Sequence, residues 1–155
     1  MVTLGQNEGF FDSENNVVWA QIPPKDIIES NKERFDCQIF SYEKLKEYMF
    51  DAFDLLFKYN PKVKIILSVS PVGAYATFKD SEVISNSFAS KCLLRCIAEK
   101  ITKKFPEQVF YYPSFEMVLA YNPNSFVFDN RHVKRKIVKR IFKALDKGLL
   151  KIPLF

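Results

Sequence analysis

Apolar residues recur along this chain at two spacings, three or four residues apart in long segments and nearly continuous in short ones. Tyr42, Leu45, Met49, Ala52, Phe53, Leu56 and Phe57 follow the first spacing and would share one helix face. Ser41 precedes them as an N-cap residue, and Asn60-Pro61 closes the run. Val63-Lys64-Ile65-Ile66-Leu67-Ser68-Val69 is β-branched and almost wholly apolar, which predicts a strand covered on both faces and ending at Ser70-Pro71-Val72-Gly73. After a loop through Asp80, a second helix is expected from about Ser87 to Phe105, with Leu93, Leu94, Ile97 and Ile101 turned inward and Pro106 as its stop. Gln108–Tyr112 reads as a strand and Phe115–Leu119 as a short helix. A last helix over 133–146 would bury Val133, Ile137, Ile141, Phe142 and Leu145, with Gly148 at C′. Near the start, Met1–Leu4 and Val17–Ile22 read as extended pieces, the second stopped by Pro23-Pro24, and Ile27–Phe40 as an irregular excursion.

Strands alternating with helices predict an α/β, three-layer parallel sheet with right-handed crossovers. Ligands on such sheets bind beyond the carboxyl ends of the strands. The segments to search are therefore Gly5–Gly9, Ser70–Phe78, Pro113–Glu116 and the turn before the last helix. The length of 155 residues fits one domain, 1–155, and 48% apolar with 26% charged residues excludes disorder. No apolar run reaches the roughly 18–20 residues that span a bilayer, and Met1–Phe10 lacks the basic start and apolar stretch of a signal peptide, so the expectation is a soluble, non-membrane chain. The three cysteines Cys37, Cys92 and Cys96 match no zinc spacing and suggest a reducing cytoplasm, without metal or cofactor. Cys92 and Cys96 are expected to pack in the core.

The net charge of +5 is concentrated at one end. Residues 131–151 hold nine Lys/Arg and one acid, a local +8, while the rest of the chain carries −3. A stripe of this kind can hold phosphates or an acidic partner. It lacks the aromatic interleaving of a nucleic-acid surface, so the reading is a solvated helix face, with nucleic acid not expected as a partner.

The only histidine, His132, follows Asp129 by three residues. A carboxylate so placed can fix the imidazole tautomer and leave the other ring nitrogen as a general base toward a hydroxyl; the same spacing also suits an N-cap Asp beside a surface His. Thr3-Leu4-Gly5-Gln6-Asn7 offers Gly5 and Asn7 as oxyanion donors at a strand end, or simply a turn. Ser70 and Ser114 end predicted strands, but neither has a glycine-flanked turn and Ser70 precedes a proline; with Cys37 they are the weak candidates for a nucleophile.

Thr3-Leu4-Gly5-Gln6, Ser70-Pro71-Val72 with Ala76-Thr77-Phe78, Asn86 through Ser90-Lys91 and Leu94-Arg95, Tyr112-Pro113-Ser114-Phe115-Glu116, and Asp129-x-x-His132 together resemble the GSCFA domain family, in its order, from Val2 to Phe142. That family is similar to SGNH hydrolases. The resemblance implies a flavodoxin-like fold and hydrolysis or transfer of acyl esters, with His132 and Asp129 as the catalytic pair and Gly5 and Asn7 as oxyanion-hole candidates. The Gly-Ser-Cys-Phe-Ala segment, which would bring the nucleophilic serine, is absent from these residues. Two expectations follow from that departure. As the C-terminal part of such a domain, the chain would lack the first strands of the sheet and be inactive by itself toward its acyl-ester substrate. Alternatively, it is a non-catalytic module that self-associates through the open sheet edge at Met1–Leu4 or uses its basic helix to hold an acidic partner; that edge could equally take an N-terminal partner segment.

Overall fold

The computed structural model describes residues 1–19, 22–77, 80, 82–120 and 124–148. It is an α/β structure with two three-stranded sheets, one parallel and one antiparallel. Strands β1 (Val2–Leu4), β5 (Ile65–Val69) and β6 (Val109–Tyr111) form the parallel sheet in the order β1-β5-β6. Val2 pairs with Leu67, and Ile65 with Val109.

The central strand β5 is apolar on both faces because both are covered. Ile65, Leu67 and Val69 face one core, shared with Phe53 and Phe57 of α2 (Tyr42–Tyr59) and with Leu94, Ile97, Ala98 and Ile101 of α3 (Val83–Lys104). Ile66 turns to a second core, made by Val118 of α4 (Ser114–Leu119) and by Ile137, Ile141 and Leu145 of α5 (Arg135–Gly148). Helices thus lie on both faces of the sheet, compatible with a flavodoxin-like arrangement. Ser41 caps α2 as expected, its Oγ accepting from the Lys44 N–H at 3.2 Å.

The second sheet departs from expectation. β2 (Glu8–Asp12) lies between β3 (Val17–Trp19) and β4 (Phe35–Ile39), and a short α1 (Lys25–Ser30) precedes β4. The segment read as irregular is therefore mostly structured, and Glu8–Asp12 is a strand with Phe10 opposite both Trp19 and Cys37. Of the strand read over Val17–Ile22, Ala20 and Gln21 lie outside the described residues, as do Phe78 and Lys151. Asp12 anchors this sheet. Its buried carboxylate accepts from Arg34 Nε at 2.9 Å and Nη2 at 2.7 Å, from the Glu14 and Asn15 N–H groups, from Asn15 Nδ2 and from Trp19 Nε1. The Arg34 hydrogen bonds hold its pKa well below the usual carboxylate range.

Smaller corrections follow from helix phase. Helix α3 starts at Val83 and buries Ser87, Ser90, Lys91, Leu94, Ile97, Ala98 and Ile101, which leaves Cys92 and Cys96 on its outer face, exposed. Ala52, Leu56 and Phe142 are exposed for the same reason, and Gly148 is the last residue of α5 rather than the one beyond it. Among the described residues no helix is long and apolar enough to cross a membrane.

Candidate active site

The turn before α5 is a small hairpin. Phe126 and Val133 bridge antiparallel, the Val127 N–H donates to the His132 carbonyl at 2.8 Å, and the Lys134 N–H donates to the Ser125 carbonyl at 2.8 Å. Buried Ser125 ties its base to α4 by donating to the Val118 carbonyl at 2.9 Å. At the tip, Asn130 adopts φ 53°, a left-handed conformation that Asn tolerates, and this folds Asp129 back over the two residues after it.

Asp129 Oδ1 accepts the N–H groups of Arg131 and His132, each at 2.9 Å, and Oδ2 lies 2.5 Å from His132 Nδ1. The imidazole hydrogen bond, aided by the two backbone donors, holds the Asp129 carboxyl well below the usual carboxylate range. A carboxylate opposite an imidazole nitrogen needs a donor there, so Nδ1 carries a proton toward Asp129. Nε2 in turn stands 3.3 Å from Arg131 Nη2, and that guanidinium also lies over the Tyr75 ring.

His132 lines a hollow of about 320 Å³ between the β1 side of the parallel sheet and α5, together with Thr3, Ser68 and Ser114. The hydroxyls there are already engaged: Thr3 Oγ1 and Ser68 Oγ pair at 3.0 Å, and buried Ser114 donates to the Val69 carbonyl at 3.1 Å. Ser70 does not line the hollow; its Oγ accepts from the Val72 N–H at 3.2 Å. Ser70 and Ser114 thus close loops at the carboxyl edge of β5. Cys37, in β4, donates toward Glu8 at 3.4 Å.

Gly5 lines a separate hollow, of about 510 Å³, with Gln6, Glu8, Trp19 and Asn86. Asn7 is buried: the backbone N–H donates to Ser90 Oγ at 2.9 Å and Nδ2 to the Phe40 carbonyl at 3.1 Å, while Oδ1 has no partner among the described residues. The structure brings Asp129 and His132 together, and it sets Gly5 and Asn7 apart from the hollow that His132 lines.

A family model described as the GSCFA family matches residues 1–145. The chain belongs to the GSCFA family. No curated protein and no solved structure matches it. In this GSCFA chain the segments that carry the resemblance are the ones that pin the loops at the carboxyl edge of the sheet. Ser90 holds Asn7, and the ammonium of Lys91 donates to the Gly5 carbonyl. Arg95 Nε reaches Glu116 Oε1 at 2.7 Å and its guanidinium stacks 4.2 Å above the Tyr111 ring, whose hydroxyl donates to the same carboxylate.

Lys91 is a site residue that motif spacing does not reveal. It is only 3% exposed and has no carboxylate partner among the described residues. Burial lowers its pKa from 10.5 to about 8. The signal was available: Ser87, Ser90 and Lys91 occupy positions of α3 that share a face with Leu94, Ile97 and Ile101, where an amphipathic helix would place apolar residues. Among the described residues, no group of three or more His, Cys, Asp or Glu could hold a metal.

Proposed function

We propose that this GSCFA chain is the acid–base part of an SGNH-like ester hydrolase or acyltransferase, on a flavodoxin-like sheet whose first strands and nucleophilic serine come from another segment. The observation that carries the reading is the Asp129–His132 pair, with its 2.5 Å contact, its two backbone N–H clamps and its place at the carboxyl edge of a parallel sheet. With Nδ1–H held by Asp129, Nε2 takes the proton from a serine hydroxyl as that oxygen bonds to the ester carbonyl carbon. It then returns the proton to the departing alkoxide, and the charge on the imidazolium is offset by Asp129. Arg131 Nη2 must leave Nε2 for the first transfer. Neither Gly5 nor Asn7 lines the hollow that His132 lines, so neither is assigned as oxyanion donor in this reading.

The chain is mixed with a polypeptide carrying the Gly-Ser-Cys-Phe-Ala segment, and p-nitrophenyl acetate hydrolysis is followed for wild type and His132→Ala. The expected loss is on the order of 10²-fold or more. An assembled complex whose rate is indifferent to His132 overturns the reading.

A second reading, a non-catalytic module that self-associates, is favoured by the sheet edge. Among the described residues β1 pairs with β5 alone, and Met1 and Val2 are exposed beside the hollow under α5. An unpaired edge of this kind is a template for another strand. Molar mass measured across concentration tests it, and a strictly monomeric chain rejects it.

A further inference from the structure

A groove of about 530 Å³ runs between the first turns of α3, helix α4, the loop after β5 and the Asp129 hairpin. Its walls are apolar side chains left in water. Ile84 and Phe88, one turn apart on α3, are 75% and 58% exposed, and Leu119 on α4 and Tyr75 across from them are also exposed. Scattered surface apolar residues need no explanation, but a contiguous set lining one concavity marks a binding surface. Buried Phe115 and Lys91 also line the groove, and Arg131 lines it at the hairpin.

The charges say what kind of occupant fits. Asp129 lines the groove too, but its carboxylate is engaged by His132 and two backbone N–H groups. Lys91, Arg131 and Asp129 sum to one net positive charge. An ammonium taken out of water without a counter-ion is unfavourable, and an anion delivered beside it relieves that cost. Ile84, Phe88 and Leu119 offer an apolar track that suits an aliphatic chain, and the two cations would repel a cationic head.

We propose that this groove binds an unbranched aliphatic chain with a carboxylate head, the tail along Ile84, Phe88 and Leu119 and the head toward Lys91 and Arg131. Its role as the acyl subsite rests on the acyl-transfer reading; the binding itself needs no turnover.

Calorimetric titration of the full chain with hexanoate, octanoate, decanoate and decyltrimethylammonium tests the proposal. Each methylene buried contributes roughly 0.8 kcal/mol, about fourfold in affinity, so decanoate should bind about 15-fold tighter than octanoate and decyltrimethylammonium far more weakly. Phe88→Asp and Ile84→Asp, both at exposed positions, should abolish the chain-length increment, and Lys91→Met should remove the preference for the anionic head. Equal affinity for both head groups, no gain from octanoate to decanoate, or binding untouched by Phe88→Asp overturns the proposal. So does a molar mass that halves with Phe88→Asp while decanoate fails to bind, which would assign the groove to a second copy of the chain. Because no hydrolysis is measured, failure here leaves the His132 reading standing, and failure of the His132 assay leaves this one standing.

Discussion

Lys91→Met offers a direct test of the buried ammonium. The side chain is 3% exposed, donates to the Gly5 carbonyl, and faces no carboxylate among the described residues. Its pKa falls from 10.5 to about 8 on burial, so the native state holds the proton less tightly than the unfolded chain. The sign follows: below the folded value both states are charged and the native state bears the full penalty, which fades as pH rises toward the unfolded value. At 1.36 kcal/mol per unit, the penalty is about 3 kcal/mol at pH 7 and about 1 kcal/mol at pH 10. Methionine has a similar length, carries no charge and loses one hydrogen bond to a carbonyl, a loss of roughly 1–2 kcal/mol. Urea unfolding should therefore show Lys91→Met more stable than wild type by about 1–2 kcal/mol at pH 7, with that advantage gone at pH 10. A variant less stable than wild type at pH 7, or a difference identical at the two pH values, refutes the reasoning. The same substitution should weaken decanoate binding, and a residue that costs stability while serving a ligand fits a functional position.

Other expectations are more local. Carbon-13 NMR of the Asp129 carboxyl should show it still ionised near pH 3, because His132 holds its pKa down; a midpoint in the ordinary range near pH 4 would contradict the hydrogen bonds described. Asp12→Ala should lower the melting temperature and change the emission of Trp19, the only tryptophan, since its Nε1–H loses its acceptor; an unchanged spectrum would dissociate Asp12 from the antiparallel sheet. Leu67→Ala, at a side chain with no exposure in the central strand, should cost about 2–5 kcal/mol in urea, and a loss under 1 kcal/mol would mean that the two cores repack around it. Ser90→Ala orphans the buried Asn7 N–H and should cost about 1–3 kcal/mol, whereas a neutral change would place that amide in water.

The parallel sheet and its long helices were legible because their signals are long and strong. Val63–Val69 reads as a doubly covered strand, and the Phe53–Phe57 face of α2 keeps its period over four turns. The antiparallel sheet was missed because its strands are short and amphipathic only in context. Glu8-Gly9-Phe10-Phe11-Asp12 carries its meaning through Asp12, whose carboxylate closes the turn at Ser13–Asn16, and through the left-handed Asn16. An Asp followed by Ser-Glu-Asn-Asn is a hairpin signal that a period-based reading passes over. For Cys92 and Cys96, four-residue spacing fixes a shared face without saying which face it is, and the structure turns that face outward. Burial on α3 is decided by the sheet, which takes Leu94, Ile97 and Ile101, and by the loop at Gly5, which takes Lys91. Among the site residues, Asp129 and His132 were readable from spacing because their contact is local. The roles of Lys91 and Asn7 depend on contacts more than eighty residues apart in sequence.

Under the acyl-transfer reading, one geometric fact links assembly to chemistry. His132 is more than half exposed, and Arg131 lies against the nitrogen that would act as base. A general base works best where water is excluded and its lone pair is free, and neither condition holds here. Among the described residues the outer edge of β1 is unpaired, Thr3 of that strand lines the hollow that His132 lines, and the carboxyl end of β1 leads into Gly5. A strand added parallel to β1 would therefore carry its own carboxyl end, where a strand-turn serine stands, to that edge. Completing the sheet and completing the site would be one event, so His132-dependent hydrolysis and formation of the complex should share a single concentration dependence. Hydrolysis that persists at concentrations where the partners are separate would break that link and return β1 to the role of a simple docking edge.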